Sequence, residues 1–192
     1  MERHVMWSSW AGPGLEHLHL YQQQGNIVAD SLILGVEQKI PFRVRYEIHC
    51  NQQWKLRSVH LSLLSSPPQS LHLLTDGDGT WTTENGETIP SLKGCLDVDI
   101  STTPFTNTLP IRRLALPSGS STTLSMVYIA VPQMHMEVTE QRYTCLEAGP
   151  SGGRYLFESL TNGFSNFTAE LPVDRDGLVL DYPGLFRRVG AW

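Results

Sequence analysis

Apolar residues recur at every second position over much of this chain. Leu15, His17, His19 and Tyr21 alternate with Glu16, Leu18 and Leu20. Phe42, Val44, Tyr46, Ile48 and Cys50 alternate with Arg43, Arg45, Glu47 and His49. A period of two puts successive side chains on opposite faces of a strand. Val59, Leu61 and Leu63 continue the second series after a phase slip near Ser58, which reads as a bulge. Further strands are expected over residues 71–74, 124–131, 134–145, 155–159, 167–173 and 178–182. Turn signals punctuate them at short intervals: Asp76-Gly77-Asp78-Gly79, Asn85-Gly86, Gly152-Gly153, Asn162-Gly163, Asp176-Gly177 and Pro183-Gly184. Many short strands joined by hairpins predict a continuous antiparallel sheet that must curl or close. Only residues 103–116 offer a helix, and Pro110 limits it.

At 192 residues, with no linker, repeat or low-complexity segment, the chain reads as a single domain over 1–192. A net charge of −5 and a pI near 5.8 argue against bulk nucleic-acid binding and against electrostatic attachment to an anionic membrane. No stretch approaches the ~20 apolar residues of a helical membrane span, and no signal peptide is evident, so a cytoplasmic location is expected. The three cysteines, Cys50, Cys95 and Cys145, are widely spaced and fit reduced core thiols. Arginine outnumbers lysine, with only Lys39, Lys55 and Lys93 among 14 basic residues. That balance suits bidentate anion recognition and partly buried ion pairs, or simply reflects base composition.

The densest chemistry lies in Gly94-Cys95-Leu96-Asp97-Val98-Asp99-Ile100 and the following Thr103-Pro104-Phe105-Thr106-Asn107-Thr108-Leu109-Pro110-Ile111-Arg112-Arg113-Leu114. The first run is a strand with Asp97 and Asp99 on one face. Paired carboxylates can do acid–base work or hold a divalent cation. They can equally form ion pairs with Arg112, Arg113 or Arg43, and this is the stronger expectation, because a half-buried carboxylate needs a partner. Arg112 and Arg113 diverge by ~100° on a helix, so one is expected to pair internally while the other faces a cavity or solvent.

These two runs, with Pro41-Phe42-Arg43-Val44-Arg45-Tyr46, Trp54-Lys55-Leu56-Arg57-Ser58 and Asp176-Gly177-Leu178-Val179-Leu180-Asp181-Tyr182-Pro183-Gly184-Leu185, resemble the putative glycolipid-binding family of bacterial proteins over nearly the whole chain. The resemblance implies a spiral β-roll, a long antiparallel sheet wound around one helix. That helix would come from residues 103–114 as the one helix of more than two turns, lying against the concave face. Phe105, Leu109, Ile111 and Leu114 would be its buried side chains. The resemblance also implies non-catalytic binding of a lipid or glycolipid in an apolar cleft between sheet and helix. Candidate contacts for the polar head group are Arg43, Arg45, Asp97, Asp99, Asn107, Arg112, Arg113 and Tyr182.

Two other readings stand beside this one. An enzyme acting on a small sugar or lipid would use Asp97 or Asp99 as its acid–base group. An interaction module would self-associate through its sheet, for which a homodimer is the simplest form. No catalytic nucleophile constellation, phosphate-binding loop or dinucleotide fingerprint is present, and no cofactor is implied. His17 and His19 alone are too few for a zinc site, and Asp76-Gly77-Asp78-Gly79-Thr80 reads as a turn, not a calcium loop, so no metal is expected.

Overall fold

The computed structural model describes residues 2–161 and 167–192 and turns the period-two pattern into an antiparallel sheet and a smaller mixed sheet around one short helix. The Asn162-Gly163 turn expected from sequence lies outside the described residues. Nine strands form the larger sheet: β1 (Glu2–Ser9), β2 (Leu15–Gln23), β3 (Asn26–Glu37), β4 (Ile40–Cys50), β5 (Leu56–Leu63), β6 (Gln69–Thr75), β7 (Trp81–Thr83), β13 (Asp181–Tyr182) and β14 (Phe186–Ala191). Their order is β13-β14-β1-β2-β3-β4-β5-β6-β7, so hairpins run unbroken from β1 to β7 while β14 returns to the outer side of β1. The smaller sheet has the order β12-β11-β10-β9-β8, from β8 (Asp97–Ile100), β9 (Ser121–Ala130), β10 (His135–Gly149), β11 (Gly152–Ser159) and β12 (Thr168–Asp174). Its β8–β9 pair is parallel, because the helix carries the chain back between them. A bridge between Val173 and Val179 ties β12 to the segment that leads into β13.

Local chemistry explains the turns. The β2–β3 and β3–β4 hairpins close with two residues each, Gln24-Gly25 and Gln38-Lys39, all with positive φ. Two-residue loops of this hand match the strand twist. Three longer loops repeat one device. Asn51 Oδ1 accepts from the amides of Gln53 and Lys55, Asp76 Oδ1 from those of Asp78 and Thr80, and Asp174 Oδ1 from those of Asp176 and Leu178. The phase slip near Ser58 combines a reversal with a register shift, since His49 pairs with Ser58 but Cys50 with Leu56, which leaves Arg57 as an extra residue. The chain reverses over residues 51–55, with Trp54 at φ 61°, and β5 pairs back on β4.

The helix α1 (Thr108–Leu114) continues a 3-10 turn, Phe105–Asn107. Its seven residues make just under two turns, shorter than the sequence suggests, yet it is the only α-helix among the described residues. Pro110 sits in its first turn, where the missing N–H has no partner to lose. The proline thus delays the start of the helix instead of ending it. Ala115 closes it in the left-handed conformation, its amide donating to Ile111 O. Phe105 and Leu109 are buried in the core that also holds Trp7, Tyr46 and Trp81, whereas Ile111 joins the core of Tyr143, Phe157 and Leu171. The helix therefore fastens the two cores together. Phe105 and Leu109 fill the space against the larger sheet, at 1% and 0% exposure.

Candidate functional site

β8 carries Asp97 and Asp99 on one face, and the two meet different fates. Asp97 is fully buried and accepts from Arg113, whose Nε lies 3.1 Å from Oδ2 and 3.3 Å from Oδ1, with Nη2 also bonded. Burial pushes the Asp97 carboxyl up, and Arg113 opposes this. The pair pins the last turn of α1 to β8. Arg112, one position earlier, points elsewhere. Its guanidinium lies 5.4 Å from the centre of the Trp54 ring, and it borders a separate hollow with Arg175 and Gly177.

Asp99 has no cationic partner among the described residues. Its Oδ2 accepts from Gln141 Nε2 at 2.6 Å and its Oδ1 from Thr106 Oγ1 at 3.2 Å. Burial raises its pKa, and those two bonds oppose the rise. Asp99 lines a cavity of about 230 Å3 between the helical turn, the smaller sheet and the loop after β13. Phe157, Phe167, Tyr182 and Phe186 form its aromatic side, with ring centres 6.1–6.2 Å apart in edge and tilted contacts. Asn107, Tyr128, Thr139 and Gln141 supply polar groups. Tyr143 stands behind them and donates to Asn107 Oδ1 at 2.9 Å. Thr139 is 3% exposed, and its Oγ1 has no hydrogen-bond partner among the described residues. No Lys, Arg or His lines this cavity among the described residues.

Of the residues singled out from sequence, the structure brings together Asp99, Asn107 and Tyr182. Asp97 and Arg113 are sealed as a pair, and Arg112 borders a separate hollow. Arg43 and Arg45 stand on the outer face of the larger sheet. Arg45 makes two 2.9 Å bonds to Asp30, and Arg43 donates to Leu64 O at 3.0 Å. Both are exposed and line none of these cavities. His17 and His19 do gather partners across β1: His4 stacks on both, and Glu2, His4 and His19 bring ligand atoms within 4.8 Å of one another. The Asp76 loop spends its carboxylate on backbone amides, as a turn does.

Sequence reading passed over Thr139, Gln141 and Tyr143. They occupy the buried register of β10 together with Cys145, and polar residues recurring on a core face were the available signal. It also passed over Glu16, an acid in register with Leu18 and Leu20, which is 3% exposed.

A profile of the family described as "Putative glycolipid-binding" matches residues 4–188. The crystal structure of a DUF1089 family protein from Pseudomonas aeruginosa shares 37% sequence identity, covering 94% of this chain and 95% of that one, with a TM-score of 0.81. No curated protein matches the chain. No helix among the described residues is long and apolar enough to cross a membrane. The chain belongs to the family described as "Putative glycolipid-binding".

Proposed function

We propose that the Asp99 cavity binds the neutral, hydroxyl-bearing head of an amphiphile, a sugar on an apolar chain. The chemistry of the lining supports this reading. Aromatic faces accept the C–H side of a sugar ring, while Asp99, Gln141, Asn107 and Thr139 offer acceptors and donors at fixed positions. A phosphate or sulfate head would meet an uncompensated acid and no cation. The volume of about 230 Å3 lies below the ~300–1,000 Å3 of sites for drug-sized ligands. It takes a head group and not a whole lipid, so the chain would leave past Leu185, which is 38% exposed.

Thr139 carries the argument. A buried hydroxyl without a partner destabilises a fold by ~1–3 kcal/mol, and a ligand hydroxyl would complete it. Thr139→Val keeps the side-chain shape and removes no protein hydrogen bond. Isothermal titration with octyl β-D-glucoside below its micellar concentration should show saturable binding that Thr139→Val weakens by about threefold to tenfold, with folding unimpaired. Octyl phosphate should bind far more weakly. Equal binding of the phosphate, or no response to Thr139→Val, would refute the assignment.

The acid–base reading has one observation in its favour. Asp99 has a raised pKa and faces a cavity, as a protonated general acid would. Asp97 is excluded from that role by its bonds to Arg113. Hydrolysis of a nitrophenyl glycoside that Asp99→Asn abolishes would establish it.

A further inference from the structure

Glu16 has one oxygen fully engaged and the other bare. Its Oε1 accepts from Tyr46 Oη at 2.6 Å, Ser31 Oγ at 2.8 Å and Thr103 Oγ1 at 2.9 Å. Its Oε2 is buried and has no hydrogen-bond partner among the described residues. Three hydroxyls from β3, β4 and the turn before α1 thus fix the carboxyl in place. Tying those elements together needs a single acceptor oxygen, so a purely structural role leaves Oε2 unexplained.

Glu16 lines a second cavity, of about 220 Å3. Thr102 lines it too, and Thr102 Oγ1 is likewise buried without a partner among the described residues. Since protein saturates Oε1, Oε2 is the carboxyl oxygen left without a protein partner among the described residues. No Lys, Arg or His borders the space among the described residues. The rim is apolar: Leu15, Leu34, Val36 and Leu185 are 38–46% exposed. Two unpartnered buried oxygens on wall residues, beside exposed aliphatic side chains, match a molecule with a hydrogen-bond-donating end and an apolar body.

We propose that Glu16 Oε2 and Thr102 Oγ1 form a binding site for the donor end of an amphiphile, an ammonium or a hydroxyl, whose chain rests on Leu15, Leu34, Val36 and Leu185. This site is separate from the Asp99 cavity in its polar groups, although Ser101, Leu185 and Phe186 wall both.

Acidity distinguishes the two head groups. Burial pushes the Glu16 carboxyl up to about 7, against the hydroxyls of Tyr46, Thr103 and Ser31. The titratable groups facing it are Tyr46 from β4, itself pushed well up by burial, and Glu37 of β3 on the cavity wall. An ammonium requires the ionised carboxylate, so its affinity rises as pH passes 7. A hydroxyl both gives and takes a hydrogen bond and fits either form, so its affinity stays flat.

The test is isothermal titration of n-octylammonium and of octyl β-D-glucoside at pH 6 and pH 8. Wild type is compared with Glu16→Gln, Thr102→Val and Thr139→Val. Octylammonium should bind about tenfold tighter at pH 8 than at pH 6. Glu16→Gln should remove both the binding and its pH dependence. Thr102→Val, which breaks no protein bond, should weaken it by about threefold to tenfold. Thr139→Val should leave it unchanged, which separates this site from the Asp99 cavity. Glucoside binding that survives Thr139→Val, is lost with Thr102→Val and ignores pH would assign the hydroxyl instead. If neither amphiphile responds to Glu16→Gln and Thr102→Val, the site does not exist.

Discussion

Glu16 sets a pH signature on the folded state itself. Its carboxyl moves from 4.5 to about 7 on burial, so the native protein holds this proton more tightly than the unfolded chain. The corresponding stability is fully present below pH 4.5 and is lost as pH rises through 7. A shift of this size corresponds to about 3 kcal/mol. Asp97 and Asp99 are also raised and act with the same sign, whereas Asp174 and Glu158 are lowered and act with the opposite one. Comparing Glu16→Gln with wild type isolates one contribution. Urea midpoints between pH 5 and pH 8 should fall more steeply in the wild type. Parallel curves would mean that Glu16 is ionised throughout. Sequence alone could place Glu16 beside Leu18 and Leu20, but the depth of that face depends on Tyr46 and Thr103, which come from distant strands and turns. Asp97 and Asp99 were legible as a pair for the opposite reason: they sit two positions apart on one short strand. Which of them would meet Arg113 depended on the helix.

At the level of elements, alternation revealed β2, β4, β6 and most of the smaller sheet. It did not reveal β3, where Leu32 and Leu34 are 44% and 46% exposed beside buried Ala29 and Ile33, so both faces read as apolar. The Gln38-Lys39 turn that ends β3 also lacks the glycine or asparagine expected of its backbone. The helix was legible from its prolines and threonines, but its start was not, because a first-turn proline and an interior proline look alike before the frame is known. Leu109 is fully buried where the helix meets the larger sheet. Leu109→Ala should cost ~2–5 kcal/mol in denaturant unfolding. A loss below ~1 kcal/mol would mean that the helix does not hold the core together.

For the molecule as a whole, the polar sites fall where the two sheets and the loop between β13 and β14 converge. The Asp99 and Glu16 cavities each draw their walls from more than one sheet or loop. Residues 99–103, 139–141 and 182–186 have to be assembled first, and so the site was only partly visible in sequence. Edges matter at this scale as well. Strands β13, β7 and β8, at three of the four sheet edges, have two, three and four residues. They offer little template for pairing with another copy. Self-association through a sheet edge would have to use β12, whose end is already bridged to Val179.

The place of β14 has a kinetic consequence. β1 lies between β2, its neighbour in sequence, and β14, its most remote partner, and His4 and Trp192 exchange two 2.9 Å backbone bonds. The hairpins from β2 to β5 each close a short loop, whereas β1–β14 closes nearly the whole chain. Loop-closure entropy must be met before such a pairing is rewarded, so this ladder should be the last to form. Pulse-labelled hydrogen exchange during refolding should protect the amides of β3 and β4 before those of β14. Joining the two ends by a short linker and reopening the chain at Gln38-Lys39 would turn this slowest contact into a local hairpin and speed folding. Protection of β14 at the earliest times would show that the seam closes first and that the rest of the sheet grows from it.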